Sequence, residues 1–201
     1  YLAERNYNVI INYRNSKNKA KALVNELETS FQNKFFAIQG DVAIKEDCLR
    51  MYKEIEQYCG GVDVLIHNAG PYLHERKKAA DYSFSEWEYI INGNLNGPFY
   101  LTNLFLPYMR KNRWGRIITF GFDRAESAPA WKYRSAFAAA KSGLLSFTKT
   151  LSVEEAPNGI TANMICPGDI QDLWKEKTIE EARGVIDQQT PIGRPGTGED
   201  I

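Results

Sequence analysis

Val62-Asp63-Val64-Leu65-Ile66-His67-Asn68-Ala69-Gly70 decides the fold. A run this apolar predicts a strand over Asp63 to His67 with both faces covered, the environment of a parallel sheet, and the small Asn-Ala-Gly turn after it lets backbone come close to a ligand. Working outward, strand and helix patterns alternate. Asn8 to Tyr13 and Lys34 to Gln39 read as strands; Ser16 caps an amphipathic stretch to about Glu28, with Ala20, Leu23, Val24 and Leu27 on one face. Lys45 to Tyr58 reads as a helix with Leu49, Met51, Tyr52 and Ile55 as its apolar positions. Ser85 to Lys111 reads as one long helix containing Asn94 and Gly97, and Tyr133 to Glu155 as a second; Arg116 to Phe120 and Thr161 to Cys166 are strands, and Leu173 to Gln189 a polar helical segment. Such alternation means βαβ units, and so an α/β fold with a doubly wound parallel sheet whose ligands belong at the carboxyl ends of the strands.

Composition excludes several functions. With 201 residues and 43% hydrophobic content, one domain with a sizeable core is expected. Lys plus Arg equals Asp plus Glu, 25 each, so no charge balance points to nucleic acid or an anionic membrane. Cys48, Cys59 and Cys166 form neither a disulfide framework nor a metal-ligand spacing, and are expected to be reduced, buried or half-buried thiols; no metal site is expected. No apolar run reaches membrane-spanning length, and a cytoplasmic location is the expectation.

His67-Asn68-Ala69-Gly70, Asn94-Leu95-Asn96-Gly97, Phe137-Ala138-Ala139-Ala140-Lys141 and Cys166-Pro167-Gly168 occur in an order and at separations that resemble the short-chain dehydrogenase/reductase family, most closely its 3-oxoacyl-carrier-protein reductases. The resemblance covers nearly the whole chain. It implies a single Rossmann-like dinucleotide-binding domain over 1–201, with the family's first strand and Gly-rich phosphate loop, and its last strand, falling outside these residues.

The resemblance also implies a site. Asp41 and Val42 would contact the adenine, Asn68, Ala69 and Gly70 would line the cofactor path, and Pro167, Gly168 and Ile170 would lie by the pyrophosphate. Asp172 stands where the family commonly has Thr. Arg14, ending the first strand, occupies a place where an acid would bind a free ribose 2′-hydroxyl; a guanidinium pairs instead with a 2′-phosphate, which favours NADP over NAD. A solvated surface charge is the other reading of Arg14. In the family a Tyr gives the proton to the carbonyl, a Lys four residues on holds the nicotinamide ribose, a Ser binds the substrate oxygen, and an Asn holds a relay water. Lys141 and Asn94 match the Lys and Asn. Phe137 occupies the Tyr position, and the Ser position falls near Gly121-Phe122.

Two readings follow. One is an NADP-dependent oxidoreductase reducing a carbonyl, with a 3-oxoacyl thioester as the substrate class and an altered proton route. The alternative is a non-catalytic cofactor-binding or scaffold protein of the same fold. Tyr133, Tyr72, Ser127 and Asp123 are candidates to replace the phenol, although on a continuous helix Tyr133 would lie about 12 Å along the axis from Lys141. Aromatics at Tyr72, Tyr82, Phe84, Trp87, Trp131, Tyr133 and Trp174 suggest an apolar or acyl substrate. Basic runs at Arg76-Lys77-Lys78 and Arg110-Lys111-Asn112-Arg113 could attract an acyl carrier protein. The resemblance implies a homotetramer, since the family pairs the helices equivalent to Ser85–Lys111 and Tyr133–Glu155 between subunits, and an exposed apolar face of Leu104, Phe105, Tyr108, Leu145, Phe147 and Leu151 is the expectation that goes with it.

Overall fold

The computed structural model describes residues 1–201 apart from Asp169 and the side chain of Asp172. Its elements run β1 (Val9–Tyr13), α1 (Lys17–Ser30), β2 (Phe35–Gln39), α2 (Lys45–Cys59), β3 (Val64–His67), α3 (Phe84–Ile91), α4 (Gly97–Asn112), β4 (Gly115–Phe120), α5 (Ser135–Glu154), β5 (Ile160–Ile165) and α6 (Ile179–Ala182). All strand pairings are parallel, as an alternating βα chain requires: Val9 faces Phe35, Val64 faces Arg116, and Gly115 faces Ile160.

The strands form two sheets, β1-β2 and β3-β4-β5, whose facing sides line an apolar cleft of about 760 Å³. This corrects the expectation for β3. Among the described residues it pairs only with β4, so Ile66 is 40% exposed where full burial was expected. The core lies on either side of α4. Phe105 and Leu101 pack with Ile38, Cys48, Met51 and Ile55, while Leu106 and Met109 pack with Ile117, Leu151, Ile160 and Ala162. Burial of a side chain such as Phe105 contributes roughly 1.5–3 kcal/mol, so α4 is the element that joins the two halves.

Phe105 and Leu151 therefore leave the proposed oligomer face, and Leu104, Tyr108, Leu145 and Phe147 are half-buried. Other outward expectations change as well. Leu23 and Leu49 are exposed, Ser16 stands at the start of α1 without a side-chain cap, and Cys59 and Cys166 are exposed thiols. The segment after Leu173 is a 3₁₀ stretch (Asp172–Glu176) and the single turn α6, which a Thr178-Glu181 capping box starts. Gly184 at φ +84° then turns the chain away from helical continuation.

The expected long helix from Ser85 is real but interrupted. A capping box at Ser83 and Glu86 starts α3, and Asn92–Asn96 then widens into a π turn before α4 continues. Asn-Gly-Asn is a poor helical sequence, and the Gly97 N–H reaches five residues back to Asn92 O. Such single π turns commonly mark functional positions. This one carries Asn94.

Candidate active site

Asn94 is 1% exposed, and its Nδ2 donates to Ile90 O at 3.0 Å and to Pro71 O at 2.8 Å. The second bond ties the π turn to the loop after β3. The fit there tolerates only glycine: a Cβ on Gly70 would lie 2.4 Å from Asn94 Oδ1, and one on Gly93 would lie 2.1 Å from Pro71 Cδ. Asn68, Ala69 and Gly70 are exposed, and the first two line the cleft between the sheets. The small turn read from sequence thus has a packing cause.

Lys141 lies on α5 and is 5% exposed. Among the described residues its Nζ has no hydrogen-bond or ion-pair partner; the nearest feature is the Phe137 ring, one turn earlier, with its centroid 5.5 Å away. Burial disfavours the ammonium, and the pKa is pushed down to about 8. His67, buried at the end of β3, is pushed down to about 3 by its own burial and then by the Lys141 charge. Its Nε2 is 2.9 Å from Thr102 Oγ1. Lys141 is thus a buried cation near a buried neutral imidazole.

Around Phe137 the structure assembles rings. Tyr72 meets it edge-on at 5.1 Å and Trp131 at 5.8 Å, and Trp131 in turn meets Phe122 at 5.1 Å. Both positions where the resemblance implies a hydroxyl, Phe137 and the Gly121-Phe122 step, therefore belong to one aromatic wall. Tyr133 is not on the helix. It precedes α5 at φ +69°, and among the described residues its ring contact is Lys132 at 5.0 Å, so it stands apart from Phe137. Phe84 is 89% exposed and outside this wall.

A second locus lies at the ends of β1 and β2. Arg14, Asn15, Gln39, Gly40, Asp41, Asp47 and Arg50 line an open pocket of about 510 Å³. Arg50 is committed to Asp47, Glu54 and Gln39 O. Arg14 Nη1 donates to the Tyr89 hydroxyl and lies 3.7 Å from Asp41 Oδ2, while its Nε and Nη2 have no acceptor among the described residues. Tyr89 donates on to Asp41 Oδ2 at 3.0 Å, and the Ala43 N–H donates to Asp41 Oδ1 at 2.9 Å. Val42 is half-buried against the core. Neither Tyr89 nor Arg50 was marked by any sequence signal.

Of the pyrophosphate candidates, Pro167 and Ile170 are half-buried, Gly168 is exposed, and Ile170 lies against the Gly196 position; the Asp172 side chain lies outside the described residues. The basic runs are partly committed. Arg110 is bidentate to the buried Glu155, and Lys77 pairs with Glu75 and Glu86. Among the described residues no His, Cys, Asp and Glu group suits a metal, and no helix is long and apolar enough to cross a membrane.

The fold is the parallel α/β type that carries its ligands at the carboxyl ends of the strands. The chain belongs to the short-chain dehydrogenase family, whose model matches residues 1–182. It is 50% identical over 201 residues to YtkK of Bacillus subtilis (strain 168), provisionally named an oxidoreductase, covering 100% of this chain and 78% of that one. To the 3-oxoacyl-[acyl-carrier-protein] reductase FabG of Staphylococcus epidermidis it is 34% identical, covering 100% and 80%. A Bacillus thuringiensis structure provisionally described as a 3-oxoacyl-reductase superposes with a TM-score of 0.87 at 47% identity over 99% and 78% of the chains. A blue fluorescent protein from a metagenomic library, solved with NADPH, gives 0.81 at 29% identity over 99% and 78%.

Proposed function

We propose that this protein is an NADP-dependent carbonyl reductase acting on an apolar carbonyl compound, with a 3-oxoacyl thioester as the substrate class. The observation that carries the reading is Lys141, a buried cation whose donors have no acceptor among the described residues. A group with that much unsatisfied capacity fits a ligand rich in hydroxyl oxygens, such as a nucleotide ribose.

The residues present fit the cofactor at both loci. Arg14, with Nε and Nη2 free of acceptors, would pair with a 2′-phosphate, and Asp41 with Val42 would flank the adenine. Asn68, Ala69 and Gly70 would let the nucleotide approach the backbone, with Pro167, Gly168 and Ile170 on the pyrophosphate side. Lys141 would hold the nicotinamide ribose. When bound, the reduced nicotinamide supplies the hydride for the carbonyl carbon. What the chain adds is orientation by Lys141, exclusion of water by the wall of Phe122, Trp131 and Phe137, and a loop position set by Asn94 through Pro71. The NADPH-bound relative and the 3-oxoacyl reductases among the relatives support the cofactor and the substrate class. Self-association through α4 and α5 belongs to the same proposal, with Phe99 at 47% and Val153 at 76% exposed on those helices.

One observation favours a cofactor-binding protein without turnover: phenylalanine stands at the expected Tyr position, Phe137, and neither residue of the Gly121-Phe122 step near the expected Ser position carries a hydroxyl. NADPH oxidation measured across a panel of ketones and acyl thioesters separates the two. Turnover of any member supports the reductase; NADPH binding with no turnover across the panel overturns it.

A further inference from the structure

Resting on the reductase reading above, we infer that Tyr72 supplies the proton to the substrate oxygen and that Arg134 is its positioning residue. Phe137 has no ionisable hydrogen, so a reductase built on this chain needs a donor from another element. Tyr72 is the phenol in contact with the Phe137 ring, edge-on at 5.1 Å, and that ring in turn lies 5.5 Å from Lys141 Nζ. The hydroxyl-bearing ring thus packs directly against the ring that lacks one.

Tyr72 is held from both ends. Its backbone follows Pro71, whose carbonyl accepts from the buried Asn94 at 2.8 Å and whose ring abuts Gly93. Its phenol oxygen accepts from Arg134 Nε at 2.6 Å. Arg134 is itself fixed at the entry to α5: Nη1 donates to Glu75 O at 2.9 Å and to Tyr133 O at 3.0 Å, and Nη2 to His74 O at 3.1 Å. A guanidinium only donates, so the hydrogen of the Tyr72 hydroxyl is left free to be given elsewhere. Negative charge that develops on that oxygen as the proton leaves faces a fixed cation, the arrangement that makes a preorganised donor effective. Tyr133, Tyr82 and Tyr89 have no such contact with Phe137.

The step balances. The hydride and its electron pair come from a reduced nicotinamide dinucleotide, which is oxidised, and add to the carbonyl carbon. The Tyr72 O–H bond breaks as an O–H bond forms on the former carbonyl oxygen. The phenolate then takes a proton from water, to which Tyr72 is 38% exposed. The role assigned to Asn94 is positional, through the Pro71 carbonyl.

Tyr72→Phe is a clean test because three of the four Arg134 hydrogen bonds go to backbone carbonyls and survive it. With a substrate from the panel that the wild type reduces, Tyr72→Phe is expected to lower kcat by about 10²- to 10⁴-fold while the NADPH dissociation constant, read by calorimetry, stays unchanged. Adding Phe137→Tyr to that variant returns a phenol beside Lys141 and is expected to restore turnover. Arg134→Lys, which keeps a cation, should retain more of kcat than Arg134→Gln at equal NADPH affinity. Wild-type turnover that Tyr72→Phe leaves intact overturns the assignment while the reductase reading stands. A fall in rate accompanied by lost NADPH affinity also overturns it, since Tyr72 would then be a prop. No wild-type turnover across the panel overturns the reading and this assignment together.

Discussion

Lys141→Met should make the protein more stable while removing a functional group, and the size of the effect follows from burial. The side chain is 5% exposed and without a polar partner among the described residues, and its pKa falls from the ordinary 10.5 to about 8. At about 1.36 kcal/mol per pKa unit, keeping this ammonium charged at pH 7 costs the native state on the order of 3 kcal/mol. Because the folded pKa lies below the unfolded one, the unfolded chain holds the extra proton between about 8 and 10.5, and stability rises with pH across that window. Below about 8 the penalty is complete; above 10.5 both states are neutral and it is gone. Met has nearly the same length and no charge, so Lys141→Met relieves the penalty without opening a cavity.

Urea denaturation of both proteins at pH 7 and at several points up to pH 10.5 measures this. The variant is expected to lead by up to about 3 kcal/mol at pH 7, equivalent to roughly 2–4 °C in Tm per kcal/mol, and to lose that lead as the pH climbs through the window. Saturating NADPH should narrow the gap at pH 7 by stabilising the wild type alone. A variant less stable than wild type at pH 7, or a lead that does not change with pH, would refute the assignment of Lys141 as a cation whose charge is disfavoured by burial.

Phe137→Tyr in the wild-type background should change NADPH oxidation little if a donor already operates; a rise of about 10²- to 10⁴-fold would mean that none does. The wild type should bind NADPH more tightly than NADH by calorimetry and Arg14→Asp should reverse the order; equal wild-type affinities would sink the 2′-phosphate assignment. His67, held neutral down to about pH 3 against an ordinary 6.5, should make stability fall as pH drops through that interval, because the unfolded chain takes up a proton that the native site refuses. His67→Gln should flatten that part of the urea-midpoint profile, and an unchanged slope would count against a buried neutral imidazole.

Periodicity made the five strands and the helices α1, α2 and α5 legible to within about two residues, and α3 with α4 as one continuous helix, since burial of one face imposes a period that polar substitutions cannot hide. The exceptions share a cause, which is that a tertiary partner decides. Ile66 read as buried because its run is apolar, yet its exposure depends on what lies across the cleft from β3. Arg110 read as part of a basic run open to an acyl carrier protein and is paired with Glu155, 45 residues away. Asn94 was identifiable from its motif, but not the π turn that carries it or its bond to Pro71. Tyr133 looked helical until a positive φ placed it ahead of α5. Arg134 could not have been found at all, because its four acceptors span the Tyr72–Glu75 loop, some sixty residues upstream, and its own neighbour.

That long-range clamp bears on whether the two phenylalanines indicate a relic. If the chain only had to fold, the aromatic wall would be satisfied by rings alone, and a Met at 141 would pack against Phe137 at less cost than a buried ammonium. The same holds for Asn94, which sits in a sequence that weakens its own helix and demands glycine at two contacting positions. Each feature breaks a local rule of stability, Lys141 beside Phe137 and Asn94 beside Pro71 and Gly70, and the Tyr72 ring against Phe137 links the two. Uncompensated local cost at linked positions is the ground for proposing a ligand-directed site there. A scaffold that binds cofactor would explain Lys141, but it has no use for a phenol whose oxygen is gripped by a guanidinium while its hydrogen stays free. The Tyr72–Arg134 contact is therefore the feature on which the proposed turnover, as against binding alone, is to be tested.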